Sequence, residues 1–229
     1  MNISQSSKRR RVIAGVSLIG LSITFLSDTL LGLMTEPDSP SQAMIASVGF
    51  VAVLNAVLMA AAVLGLSQLL RASADRVGLL GAAFVLVGWA VSTRISAVIQ
   101  LHLLLRAGVE GVPANALESV FKSAPSVWVS FFPVGLFFPL GLITLGLALF
   151  WQRPVNRWFG LLLALGGALF PLGRAVGIEY AIIACNIVLA SAFAAIGWQV
   201  LTRPEVWETT ESGVETVNET LLSELRAGA

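Results

Sequence analysis

The sequence predicts an all-α polytopic membrane protein, a bundle of six transmembrane helices with both termini in the cytoplasm. The prediction rests on composition, on six long apolar segments and on the placement of Lys and Arg. Of the 229 residues, 56% are hydrophobic and only 12% are charged, and the mean hydropathy is +0.86. A soluble domain carries about 25% charged residues. This composition excludes an ordinary soluble fold, a disordered chain and a nucleic-acid-binding protein, and the single Cys185 excludes a disulfide-stabilised secreted module.

Six apolar segments define the predicted spans. A helix needs roughly 20 apolar residues to cross a hydrocarbon core about 30 Å thick. Each segment ends at charged residues, proline or a polar cluster, and a basic N-terminus (1–11) precedes the domain that they form (12–201). The spans are 12–34, 43–70, 77–105, 127–151, 158–177 and 180–201. An acidic tail (202–229) follows, and it either stays solvated or docks a cytoplasmic partner.

The positions of Lys and Arg predict the orientation. One end of the six spans carries Lys8 and the three arginines that follow it, the pairs Arg71/Arg76 and Arg153/Arg157, and Arg203. Short cytoplasmic loops carry this excess, so both termini are predicted to be cytoplasmic, in the plasma (inner) membrane of a cell. Trp151, Trp158 and Trp198 lie near the same end, as interfacial tryptophans do.

Small residues indicate how the helices pack. Close helix contacts in a bilayer favour Gly, Ala and Ser. One such seam runs through Gly88, Ser92 and Ser96 of the third span. The second span has a seam of alanines that leads to Gly65, and the fifth has the pair Gly173/Gly177. Since Arg94 lies on the opposite side of the third span, we expect that span to be the central helix of the bundle. The seams are also candidate contacts for a homo-oligomer or another membrane partner.

Five polar residues form what we call the polar layer. Counted from the inner boundary of their spans, all five lie roughly 22–26 Å deep at 1.5 Å per residue, in the outer part of the membrane. They are Asp28, Asn55, Arg94, Arg174 and Asn186. Gln100, His102 and Glu179 lie farther out, at the mouth of any such cavity. Ionisable residues inside a membrane are costly, so each is a candidate functional residue.

The polar layer has two interpretations. In the first, Asp28 and Arg94 are a structural ion pair. Asn55 and Asn186 then form hydrogen bonds that hold helices together. Arg174 and Glu179 are loop residues, and His102 lies at the membrane interface. In the second, the layer lines a pocket that opens to the outside and binds a small polar or anionic molecule.

The sequence contains no recognisable catalytic, metal-binding or cofactor motif. The single His102 excludes a pair of histidine haem ligands, and no span has residues at metal-ligand spacing. Lys8 and Lys122 lie outside the spans, which excludes a buried retinal Schiff base. There is no nucleophile elbow and no phosphate-binding loop. We therefore expect no cofactor and no metal, assign no catalytic residue, and expect Cys185 to be a packing residue.

The chain resembles a bacterial family of six-span integral membrane proteins that is catalogued as a domain of unknown function. The likeness lies in RRVIAGVSLIG at the first span, VGFVAVLNAVLMAAAV in the second and RPVNRWFGLLLALGGALF entering the fifth. It covers most of residues 10–200 and implies a six-helix membrane protein of bacterial type. It implies no activity and no site residue.

Three functions are compatible with these features. The first is binding or transport of a small polar or anionic molecule through an outward-facing pocket. The second is a structural or accessory subunit whose polar residues only pack helices. The third is an intramembrane enzyme, which needs a nucleophile or an acid/base pair within one cavity.

Overall fold

The computed structural model describes residues 3–34, 42–106, 135–176, 179–205 and 207, and these residues are helical apart from short turns. The helices are α1 (Ile3–Met34), α2 (Gln42–Leu69), α3 (Arg71–Arg106), α4 (Phe137–Gln152), α5 (Arg157–Val176) and α6 (Glu179–Thr202). The predicted all-α class is confirmed. The connection 107–134 and most of the acidic tail, 208–229, lie outside the described residues.

Four stretches of helix are long and apolar enough to cross a membrane. They are Gln5–Leu31, Ala46–Leu69, Ala74–Val91 and Tyr180–Thr202. The described parts of α4 and α5 contain shorter apolar stretches, Phe137–Gln152 and Arg157–Gly173. The fold is therefore that of a protein suited to a membrane, while a count of six spans remains a prediction.

Short turns separate the helices where the apolar segments end. Between α2 and α3 the chain turns at Leu70, and Ala74 interrupts the start of α3 with non-helical dihedral angles (φ −152°, ψ 47°). α4 ends at Arg153, which adopts the left-handed conformation (φ 55°) and donates its backbone N–H to the Leu149 carbonyl. The Asn156 side chain then accepts a hydrogen bond from the Trp158 N–H (3.2 Å), which caps the start of α5.

The six helices form a closed ring in chain order. Each helix packs mainly on its neighbours in the sequence, and α1 packs on α6 to close the ring. Neighbouring helices run antiparallel: Gly65 of α2 lies on Ala14 of α1, for example, and Gly20 lies on Leu58. The start of α1, the two short turns α2–α3 and α4–α5, and the end of α6 consequently lie at one end of the bundle. A hydrogen bond from the Asn156 N–H to Gln199 Oε1 (2.9 Å) joins two of these segments.

The third helix is not central. Within the described residues α3 packs mainly on α2 and α4, so it occupies a place in the ring like any other helix. The expectation failed because a ring has no central helix: the interior is filled by side chains. Gly88 packs on Phe138 of α4 within the same chain, and Gly65 and Gly173 also face neighbouring helices.

Glycines allow α4 and α5 to approach each other closely. A Cβ atom at Gly146 would lie 2.5 Å from the backbone N of Ala164 and 2.5 Å from the Gly160 carbonyl oxygen. One at Gly160 would lie 2.6 Å from the Gly146 oxygen. Only glycine permits backbones this close, as in other membrane helix pairs.

Apolar side chains lie both inside and outside the ring. A single cluster of buried residues, including Leu18, Met59, Leu142 and Leu189, fills the interior. Large hydrophobic side chains are also exposed around the outside, for example Ile23, Phe50 and Leu79. Such extensive exposed apolar surface is unfavourable in water and suits a lipid environment.

Candidate functional site

Five aromatic rings from five helices cross the interior of the bundle, and we call them the aromatic layer. The rings are in contact in the order Phe193, Phe25, Trp89, Phe138 and Phe170, from α6, α1, α3, α4 and α5 respectively. Successive centroids lie 5.9, 6.4, 5.0 and 4.7 Å apart, within the range of favourable aromatic pairs. Since α1 and α3 lie on either side of α2, the contact between Phe25 and Trp89 bridges the interior of the ring.

Asn186 of the polar layer bonds to α1 beside this aromatic layer. Its Nδ2 donates a hydrogen bond to Thr29 Oγ1 (2.9 Å), and the Thr29 hydroxyl donates to the Phe25 carbonyl (2.9 Å). Asn186 is only 1% exposed, yet its Oδ1 has no hydrogen-bond partner. A buried polar atom without a partner destabilises the folded state by about 1–3 kcal/mol. The Asn186 oxygen is therefore destabilising as it stands, and it can accept a hydrogen bond from a ligand.

Asp28 faces the bundle but is exposed. At about 100° per residue, Asp28 lies about 20° from Leu21 on the helical wheel of α1, between Thr24 and Phe25. Those three residues are buried, and Leu21 is 0% exposed. Asp28 itself is exposed. The inward face of α1 is thus buried as far as Phe25, whereas Asp28, about one turn later, is accessible.

Asn55 is a second buried amide. It lies on α2, which packs against α1, and it is 6% exposed with no partner for its Oδ1. In the aromatic layer, the Nε1 of Trp89 is likewise buried without a partner. Asn55 and Asn186 thus each present an amide oxygen that can accept a hydrogen bond, and Trp89 presents an N–H that can donate one.

The other candidate residues have helix positions but no described side chains. Arg94, Gln100 and His102 belong to α3, Arg174 belongs to α5, and Glu179 begins α6. Their side chains lie outside the described part of the chain. The pairing of Asp28 with Arg94, and the membership of these five residues in one pocket, stay predictions.

No group of three His, Cys, Asp or Glu residues suited to a metal ion occurs among the described residues. Cys185 is buried, and its Sγ donates to the Gly166 carbonyl (3.3 Å) across the contact between α6 and α5. This contact is the one expected of a packing residue.

Sequence reasoning missed Thr29 and the aromatic layer. A threonine in a helix commonly bonds to the carbonyl four residues earlier, as Thr29 does, so it gives no separate signal. Its position next to Asp28 was the one available indication. The five aromatic residues lie on five helices, and their meeting depends on helix neighbours that spacing along the chain does not reveal.

The chain matches no protein-family model, no curated protein and no solved structure. The resemblance to a six-span bacterial family therefore remains an expectation from the sequence.

Proposed function

We propose that this protein is a six-span integral membrane protein whose outward-facing polar pocket binds or transports a small polar or anionic molecule. In this proposal both termini are cytoplasmic and the plasma membrane is the site of action. The aromatic layer is the floor of the pocket, and Asp28, Asn55 and Asn186 supply polar groups around it.

The exposure of Asp28 carries the proposal. A carboxylate on the buried face of a transmembrane helix is costly unless it lines a water-filled cavity or has a partner. Asp28 is accessible where Leu21, two turns earlier on the same face, is fully buried. An opening that begins above the aromatic layer accounts for both observations.

The described acceptors indicate what the ligand presents to the pocket. Asn186 Oδ1 and Asn55 Oδ1 are buried without partners, and each would accept a hydrogen bond from a hydroxyl, amide or ammonium group. Arg94 and Arg174 of the polar layer would add guanidinium donors for an anionic group, if they face the same opening.

A solute screen tests the proposal. The purified full-length protein is heated in one detergent with a panel of amino acids, polyols, organic ammonium ions and small carboxylates. We expect at least one solute to raise the midpoint of thermal unfolding of the wild type, since ligands that bind the folded state stabilise it. Asp28→Asn should abolish that rise without preventing folding.

Asp75→Asn is the matched control, because Asp75 is an exposed carboxylate at the opposite end of the bundle. It should respond to the solute as the wild type does. An equal rise in Asp28→Asn, or no rise with any solute of the panel, contradicts the proposal.

A structural or accessory subunit is the second candidate, and one observation favours it. Asn186 already bonds α6 to Thr29 of α1, as a residue that only holds helices together would do. In that case Asn186→Leu lowers thermal stability and there is no solute response to lose. A pocket residue behaves in the opposite way: Asn186→Leu removes an unpartnered oxygen and costs little stability, while it weakens solute binding.

A further inference from the structure

A dense group of cations lies at the end of the bundle opposite Asp28, and we call it the basic end. The start of α1, the turns α2–α3 and α4–α5 and the end of α6 all contribute to it. Its cations are Lys8, Arg9, Arg10, Arg11, Arg71, Arg76, Arg153, Arg157 and Arg203. The described anions there are Asp75 and Glu205. Positive charge at a membrane surface is common, so this cluster alone assigns no ligand.

Two buried donors distinguish one part of the basic end. Arg11 Nε and Trp207 Nε1 are both buried and have no hydrogen-bond partner in the described residues. Trp207 is only 3% exposed although it follows α6 in a polar stretch of the chain, and it joins the hydrophobic core. A buried N–H without an acceptor is costly, and the cost is larger for a charged group.

Both donors belong to the region where the start of α1 packs on the end of α6. Arg11 precedes Thr29 by five full helical turns, so both lie on the same side of α1. Thr29 bonds to Asn186 of α6, and Gly15 contacts Leu201 near the end of α6. The antiparallel register then brings Arg11 level with the segment that leads to Trp207.

Exposed tryptophans indicate that the basic end lies at the level of lipid headgroups. Trp151, Trp158 and Trp198 are all more than half exposed, and the Arg157 guanidinium lies 5.0 Å from the Trp158 ring centroid. Tryptophan is enriched where hydrocarbon meets headgroups. Basic pockets between transmembrane helices at this level are known sites for anionic headgroups.

We propose that Arg11 Nε and Trp207 Nε1 line one groove between α1 and α6 at the basic end, and that this groove binds the phosphate of an anionic phospholipid. The phosphate oxygens accept both hydrogen bonds and neutralise part of the surrounding positive charge. The acyl chains extend from the phosphate into the hydrocarbon layer beside the bundle. This site is separate from the pocket near Asp28 and does not depend on it.

Native mass spectrometry of the full chain in detergent tests the site, with phosphatidylglycerol and phosphatidylcholine as probes. We expect phosphatidylglycerol to bind more tightly. Arg11→Gln and Trp207→Phe should each weaken its binding about tenfold, the loss expected for a hydrogen bond to a charged group. Trp207→Phe keeps an aromatic ring in the core, so the variant is expected to fold.

Arg9→Gln is the charge-matched control, because Arg9 is exposed and contributes the same charge to the basic end. It should change phosphatidylglycerol binding by less than about twofold, as a screened surface charge does. Equal losses in Arg9→Gln and Arg11→Gln would show diffuse attraction only and overturn the proposal. Unchanged lipid binding in Trp207→Phe would also overturn it.

Two further arms separate the possible sources of the anion. Millimolar inorganic phosphate should not displace phosphatidylglycerol; full displacement means that the site takes free phosphate and contradicts the lipid assignment. If the acidic tail of the chain occupies the groove instead, Arg11→Gln and Trp207→Phe lower the thermal midpoint and leave lipid binding unchanged. That result also contradicts the proposal.

Discussion

Asn186 makes one interhelical hydrogen bond, to Thr29, and leaves one buried oxygen without a partner. Removal of Thr29 and removal of Asn186 should therefore have different effects on stability. The Thr29 hydroxyl is the acceptor for Asn186 Nδ2, so its removal leaves the whole amide of Asn186 unsatisfied. Removing the amide itself eliminates the unpartnered oxygen together with the bond. The two halves of a single contact thus differ in what their loss costs.

Thr29→Val should therefore destabilise the protein by about 1–2 kcal/mol, while Asn186→Leu changes stability by less than about 1 kcal/mol. The measurement is the thermal midpoint of both single variants and the double variant in one detergent. The double variant should recover most of the loss caused by Thr29→Val. A larger loss for Asn186→Leu than for Thr29→Val would contradict the assignment of the orphaned oxygen.

At this scale the sequence identifies the chemistry but not the partners. Asp28, Asn55 and Asn186 are recognisable because polar groups are rare in apolar spans, and the structure places both amides in the interior. Their partners could not be predicted, since a hydrogen bond between residues 157 positions apart depends on which helices are neighbours.

Helices are the elements that the sequence predicts best. Long apolar segments bounded by charge correspond to α1, α2, α3 and α6 because a helix satisfies its own backbone hydrogen bonds. The role of single glycines within them is harder to predict. Gly146 and Gly135 look alike in the sequence, but Gly146 abuts the backbone of α5 and a Cβ at Gly135 would meet nothing within 4 Å.

Gly146→Ala should destabilise the bundle by about 1–3 kcal/mol, because α4 and α5 must separate to admit the methyl group. Gly135→Ala is the control and should change stability by no more than about 0.5 kcal/mol. Thermal unfolding of the two variants in the same detergent measures the difference. Similar midpoints for both variants would show that α4 and α5 do not pack through Gly146.

On the scale of the whole molecule, the main feature is the closure of the ring between α1 and α6. The first and last helices meet along Gly15 and Leu201, and again at Thr29 and Asn186. The sequence predicts a central third helix, because a small-residue seam and Arg94 lie on opposite sides of it. Ring topology depends on all six helix contacts together, and no local pattern determines it.

A cysteine pair tests this closure. In a Cys185→Ser background, Gly15→Cys with Leu201→Cys should form an intramolecular disulfide on mild oxidation, because the two positions are in contact. Val16→Cys with Leu201→Cys is the control, since Val16 points outward. Mass spectrometry of the monomer measures the crosslink. Crosslinking only between chains, or equal yields for the two pairs, would contradict a closed ring.

We infer that the interior opens to the side of the membrane opposite the basic end, one turn beyond the aromatic layer. Labelling with a membrane-impermeant maleimide tests this opening, using Asp28→Cys and Leu21→Cys, each in the Cys185→Ser background, in sealed vesicles of known orientation. We expect Asp28→Cys to be labelled from the side opposite the basic end and Leu21→Cys not to be labelled. An Asp28→Cys variant that resists labelling from that side would show that the interior has no such opening.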